Sequence, residues 1–463
     1  VSDWISIIPP ILAIIIVLWK KEVILALLLA IASSELLILF SSSEAYSPLA
    51  GFGISTVERI ISVFQSDGNT RILVFSLLVG ALLAFMRQSG GVTATVNVLI
   101  DKGLSGSARR SRFLAFFTGV AIFIESNLSV LMAGIISRGL FDKFGMSRAR
   151  LAYIIDSTSA PICILLLLNG WGAYVLGLLN TYELEESAVS ILIQTIPLNF
   201  YALITLVIVV YTCWTDKTHG PLKQAELNQQ KGTKKLELDV PASKPRYMLV
   251  PLITLSVSMV AFMFITGNGN FVEGSGSKSV LYATTLACLV AYIMMVASKR
   301  FTHKKMTEIG FQGISELLPL VMIVLLSLAL GASLKVLGTG TFISGLVAEN
   351  LPLFLVPAVL FLAGGLMSFT TGTSWGTFAI LIPIGMPLVI NLGLPAPLLL
   401  AAILGGGVFG DHCSPISDTT AVSAVASGCD LLEHVRTQLP YALFAGGLTI
   451  LTYIAFGLMF IGA

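Results

Sequence analysis

Charge is what this 463-residue chain has least of. Asp, Glu, Lys and Arg make up 11% of it, against 56% hydrophobic residues, where a soluble chain carries about a quarter charged residues. Mean hydropathy is +0.91. These values exclude an ordinary soluble enzyme, give no reason to expect a nucleic-acid partner, and leave an all-α polytopic membrane protein. Cysteine is scarce too. The five, Cys163, Cys213, Cys288, Cys413 and Cys429, are odd in number and scattered, so no disulfide framework is expected. Histidine occurs four times. His412 and His434 stand near Cys413 and Cys429, but that spacing matches no tetrahedral zinc pattern. Gly338-Thr339-Gly340 lacks the strand context of a nucleotide loop. No cofactor is implied. A cleavable leader is not expected either, because the apolar run 5–19 is followed at once by a second.

What the chain does have is apolar length. Runs able to span a bilayer fall at 5–19, 22–40, 71–87, 151–179, 190–212, 247–265, 280–297, 316–335, 394–427 and 440–461. Two further pairs of apolar arms, 113–124 with 129–137 and 352–368 with 376–390, flank polar tips and read as re-entrant hairpins. With Lys20 and Lys21 placed in the cytoplasm, every Lys and Arg except Arg59, Arg71, Lys278 and Lys335 falls on the cytoplasmic side. That obeys the positive-inside rule and leaves both termini extracytoplasmic. A polar stretch near the middle reads as a flexible linker. The division expected is residues 1–212 as a first transmembrane repeat, 213–246 as a cytoplasmic linker, and 247–463 as a second repeat.

The halves share an order of features. Each runs through a third span, a hairpin, a polar tip, a broken helix and a last span. The breaks are Asp156-Ser157-Thr158-Ser159-Ala160-Pro161 and Asp411-His412-Cys413-Ser414-Pro415. Gly405, Gly406 and Gly407 are expected to loosen the helix before the second break. An odd number of crossings per half makes the repeats inverted in topology, each with a re-entrant hairpin and a broken transmembrane helix. One half should then move against the other.

Carboxylates deep in a membrane mark function by default. Glu125 at the first tip, Asp156 in the first break, and Asp411 and Asp418 in the second qualify. Ser157, Thr158, Ser414 and Thr419 add hydroxyls of the kind that bind hard cations, and about half of such hydroxyls only pack. Ser126, Asn127, Thr373 and Ser374 at the tips, with His412, are candidate solute contacts. His412 could shuttle a proton or hold the break open. Glu35 reads as a helix contact, and Asn127 as an inert glycosylation sequon. Ser414 and His412 lack the base and oxyanion motif of a hydrolase.

Gly410-Asp411-His412-Cys413-Ser414-Pro415-Ile416-Ser417-Asp418-Thr419-Thr420 resembles the signature of the NhaC-type sodium/proton antiporter family. The blocks from Ala152 to Thr158 and from Thr371 to Thr377 are similar to two further family blocks, and the resemblance covers nearly the whole chain outside the linker. It implies the ion transporter superfamily fold, a homodimer, and sodium coupling in the cytoplasmic membrane. Relatives often carry two adjacent acids at the first tip, whereas here Ser126 follows Glu125. The expectation is a non-enzymatic secondary transporter exchanging Na+ for H+, with Asp156 and Asp411 as sodium ligands and Asp418 beside them. Sodium-coupled movement of an amino acid or a carboxylate is the rival reading. A cation channel would need a continuous polar pore.

Overall fold

The computed structural model describes residues 4–20, 22–41, 48–91, 93–95, 98, 106–123, 126–166, 169–228, 241–270 and 273–462. Among them there is no strand. The first half holds α1 (Ile8–Lys20), α2 (Val23–Ser41), α3 (Pro48–Ser62), α4 (Asp67–Gln88), α5 (Ala108–Ala121), α6 (Ser126–Lys143), α7 (Arg148–Ser157), α8 (Ala160–Leu165), α9 (Gly170–Leu179), α10 (Ala188–Gln194) and α11 (Phe200–Thr215). After α12 (Gly220–Asn228) come α13 (Arg246–Thr266), α14 (Gly276–Ala297), α15 (His303–Leu337), α16 (Thr339–Asn350), α17 (Val356–Thr371), α18 (Ser374–Leu392), α19 (Ala396–Cys413), α20 (Asp418–Ser427) and α21 (Leu431–Phe460). Ten helices among the described residues are long and apolar enough to cross a membrane, or eleven if the bent pair 148–165 and 170–179 counts as one span.

Local chemistry sets the boundaries. Ser107, Ser147, Asn169 and Ser417 each accept a hydrogen bond from a first-turn N–H of the helix that follows. Gly372 ends α17 in the left-handed region at φ +68°, where a β-carbon would be strained. α19 stops because Ser414 precedes Pro415 and is driven to extended backbone, φ −82° and ψ 129°. The first break is gentler than expected. Between α7 and α8 the helix is only nicked at Thr158 and Ser159, and the 41° turn comes later, before α9.

The three glycines of α19 do not loosen it, since the helix runs through them to Cys413. They are there for contact. Gly406 lies against the backbone of Phe361 and Gly407 against the Phe378 ring, so a β-carbon at either would collide. This is small-residue packing between membrane helices. Gly80 of α4 and Gly313 of α15 meet backbone to backbone in the same way.

Part of the linker is folded rather than flexible. Leu222 and Ala225 of α12 are buried. Asp216 pairs at 2.7 Å with both Arg112 and Arg150, and the Glu226 carboxylate accepts from Ser147 Oγ at 2.9 Å. The amphipathic α3 and the short α12 and α16 were not expected from the apolar runs, and the run expected at 190–212 is divided into α10 and α11. Glu35 is the helix contact it was read to be: it pairs with Arg59 of α3 at 2.6 Å and accepts from Ser333 of α15 at 2.7 Å.

Both hairpin tips reach the second break. The α17 tip at Gly372 abuts the backbone of Ile416. In the first hairpin, Asn127 of α6 donates to the Asp418 carboxylate at 3.1 Å. The arms at 353–371 and 374–392 are each long enough to span, so length does not distinguish a hairpin from a span pair; the meeting of tip and break sets the depth of the tip.

Candidate functional site

Two buried carboxylates are held in different ways. Asp156, at the end of α7, is 1% exposed. Its Oδ2 accepts from Gln438 Nε2 at 2.6 Å and from His434 Nε2 at 3.1 Å, both on α21. Thr420 Oγ1 of α20 stands 3.5 Å away. Oδ1 of Asp156 has no partner among the described residues. Gln438 Nε2 also donates at 2.6 Å to the carbonyl of His412, so one amide joins the first acid to the end of α19. Positions 434 and 438 are i and i+4 on one helix face, which brings both side chains to the same carboxylate.

Asp411, near the end of α19, is 2% exposed. Its Oδ2 accepts from Ser374 Oγ, at the start of α18, at 3.0 Å, while Oδ1 has no partner among the described residues. A buried carboxylate oxygen with no donor is costly unless water or a cation serves it. Thr420 links the acids, its hydroxyl lying 3.5 Å from Asp156 Oδ2 and 3.5 Å from the Asp411 carbonyl. His412 ties the two breaks together. Its ring nitrogens bond Ser157 Oγ at 3.0 Å and Tyr201 OH at 2.8 Å.

Asp411 lines a cavity of about 420 Å³ together with Asp418, Asn127, Ser126, Thr373 and Thr419. Trp171 and Trp375, 5.4 Å apart, and Glu316 complete its polar and aromatic lining. Asp418 is exposed rather than buried, and its Oδ1 accepts from the Thr419 N–H at 2.8 Å. Glu316 is held at the rim by Arg87 at 2.7 Å.

The structure thus brings together Asp411, Asp418, Thr419, Ser126, Asn127 and Thr373 around the cavity, with Ser374 behind Asp411. Asp156, Ser157 and His412 sit behind it. Glu125 lies outside the described residues. Thr158 and Ser414 are elsewhere engaged: Thr158 Oγ1 donates to the Ile154 carbonyl at 2.8 Å and Ser414 Oγ to the Phe369 carbonyl at 2.7 Å. They behave as packing hydroxyls. Sequence reasoning passed over Gln438, Tyr201 and Trp171, and weighed His434 only as a zinc ligand. The spacing of His434 and Gln438, two polar side chains one turn apart at the start of a long apolar helix, was the available signal.

Comparison with known proteins is consistent with this arrangement. The model of the Na+/H+ antiporter family matches residues 171–458. An uncharacterized protein of Haemophilus influenzae is 30% identical over 434 residues, 88% of this chain and 83% of its own. A malate-2H(+)/Na(+)-lactate antiporter of Bacillus subtilis is 34% identical over 174 residues, 35% of each chain. Among solved structures, the Alcanivorax borkumensis YdaH transporter superposes with a TM-score of 0.61 over 97% of this chain and 98% of its own, at 13% identity. Neisseria gonorrhoeae MtrF gives 0.56 over 88% and 84%, at 14% identity. At such identities the likeness is one of fold.

Proposed function

Because the chain belongs to the Na+/H+ antiporter family, we propose that it exchanges sodium for protons across the cytoplasmic membrane by alternating access, with Asp411 and Asp156 as the carboxylates that carry the exchange. It is a multi-pass secondary transporter. What carries the reading is the pair of buried acids, each with one oxygen lacking a donor among the described residues, with the Thr420 hydroxyl 3.5 Å from the Asp156 carboxylate and 3.5 Å from the Asp411 main-chain carbonyl. A carboxylate in that state binds either a proton or a sodium ion and not both well, and such exclusion is the chemical basis of exchange. Asp411, facing the cavity, is the sodium ligand, with Asp418 and Thr419 supplying further oxygens. Asp156 accepts from Gln438 and His434 and belongs to the same site through Thr420. The inverted relation of the halves, a homodimer, and termini on the extracytoplasmic face complete the proposal.

The test is sodium uptake driven by a pH gradient in proteoliposomes. Asp156→Asn and Asp411→Asn should each abolish it while the solubilised proteins stay monodisperse. Wild-type uptake by either folded variant would remove that residue from the mechanism. Moving an organic solute with sodium is the second reading, and the size of the cavity bears on it below.

A further inference from the structure

We propose that the cavity between the hairpin tips admits a small organic ammonium, which competes with sodium for Asp411 and Asp418. The inference rests on the reading that this cavity is the transport site, and it names a further class of ligand for it.

Size is the first observation. A lone sodium ion needs a single shell of oxygens, but this cavity measures about 420 Å³, within the range of small-molecule sites. Its composition is the second. Beside the acids it presents Val79, Leu83, Leu317, Leu320 and Ile323, which offer nothing to a metal ion and everything to a hydrocarbon body. No Lys, Arg or His lines it among the described residues.

The helix ends settle the sign of the charge. Four helices, α6, α9, α18 and α20, begin at the cavity, and a helix N-terminus ordinarily draws an anion. Here the protein supplies its own. Asn169 Oδ1 accepts from the Trp171 and Gly172 N–H groups of α9. Asp418 and Ser417 take the Thr419 and Thr420 N–H groups of α20. Asp411 is held at the first turn of α18 by Ser374. An incoming carboxylate would find the α9 and α20 ends served and the Asp411 and Asp418 carboxylates repelling it. Asp411 Oδ1 is buried with no hydrogen-bond partner among the described residues, and an ionised carboxylate only accepts. It calls for a cation.

The aromatic wall fits the same class. Tyr174 stacks behind Trp375 at 4.9 Å and donates to its carbonyl at 3.2 Å, which holds the indole at the cavity edge. An alkylammonium gains from an indole through cation–π attraction and from its own apolar stem.

The experiment measures radiolabelled sodium binding to purified full-length protein in potassium buffer at constant ionic strength. Putrescine, L-ornithine and L-lactate are the competitors. Putrescine and ornithine should displace sodium and lactate should not. Trp375→Ala should weaken the putrescine competition by about two- to thirtyfold, more than it weakens sodium binding, and Trp375→Phe should fall between. Displacement by lactate, by ornithine without putrescine, or by none of the three would overturn the inference. So would an equal loss of putrescine and sodium affinity in both tryptophan variants. Asp411→Asn is the separate control for the underlying reading. If sodium binding survives in that variant, the assignment of the site fails; if sodium binding is lost there but putrescine never competes in the wild type, only the ammonium inference fails.

Discussion

Gln438 is where the proposed mechanism is most exposed to a single substitution. Its amide nitrogen makes two short bonds, to the Asp156 carboxylate and to the His412 carbonyl, each at 2.6 Å. Gln438→Met keeps the length and volume of the side chain and removes both donations. A hydrogen bond to a charged group contributes about 1.5–3 kcal/mol and a neutral one about 0.5–1.5 kcal/mol, so the two together are worth about 2–4.5 kcal/mol. At about 1.4 kcal/mol per factor of ten, sodium/proton exchange should fall at least about thirtyfold. His434 would remain as a donor to Asp156, which sets the loss below total. Thr437→Val supplies the contrast. Thr437 is also buried on α21, but its hydroxyl bonds back to the carbonyls of Glu433 and His434, and its loss should leave exchange within about a factor of three. The assay is the initial rate of sodium uptake under a pH gradient, normalised to monodisperse reconstituted protein. A Gln438→Met rate equal to wild type, or a Thr437→Val rate as low as that of Gln438→Met, would refute the role given to the amide.

Arg59→Met should lower the melting temperature of the solubilised protein sharply, since it strands the buried Glu35 charge at a cost of about 3–5 kcal/mol; the double variant Glu35→Gln with Arg59→Met should recover most of the loss, and a double no better than the single would contradict the pairing. Leu222→Ala, in the linker helix, should cost about 2–5 kcal/mol because Leu222 is fully buried, whereas replacing residues 229–240 with an equal-length Gly/Ser spacer should retain most transport per folded molecule. Gly134→Leu should cost about 1–3 kcal/mol by overpacking, because a β-carbon at Gly134 would lie 2.7 Å from that of Ala426; unchanged melting would show that α6 and α20 can part.

The bilayer made most of the fold legible. Where backbone groups must be satisfied internally, apolar length reports helices directly, and the long runs at 247–265 and 280–297 return as α13 and α14 almost unchanged. Composition hid the elements whose stability comes from packing. α12 is polar, yet it folds because Leu222 finds a pocket and Glu226 a partner in Ser147. The glycines of α19 misled for a related reason. Their cost to helix propensity is about 1 kcal/mol each at most, small beside the close approach to Phe361 and Phe378 that they permit. At the site, acids announce themselves in an apolar sequence, and so Asp156 and Asp411 were legible. The groups that hold them are neutral or ambiguous and come from distant positions: Gln438 lies 282 residues from Asp156 in the chain, and only the fold brings the two together.

The partners of the acids bear on how the site can open. Asp156 belongs to the first half, yet every side chain that donates to its carboxylate, from Gln438, His434 or Thr420, belongs to the second. Asp418 belongs to the second half and takes its side-chain donor from Asn127 of the first. Moving residues 1–212 as one body against 247–463 would strip all of these bonds at once and leave a buried carboxylate with no donor, at about 1–3 kcal/mol or more for each group stranded. The contacts group the elements otherwise. α6 runs alongside α20, with Asn127 at Asp418 and Gly134 at Ala426, while Arg148 at the base of α7 donates to the Ser427 carbonyl that ends α20. α6, α7 and α20 therefore hold together across the boundary between the halves. A displacement that carries them, with Asp216 and α12 tied to α7, as a unit past α4 and α15 preserves the side-chain donor of Asp418 and the Thr420 contact of Asp156, and it asks the α21 bonds of Asp156, the Ser157–His412 bond and the α18 tip to adjust. These contacts oppose a parting of the halves as two rigid bodies, because the division in the sequence is not the division in the bonding.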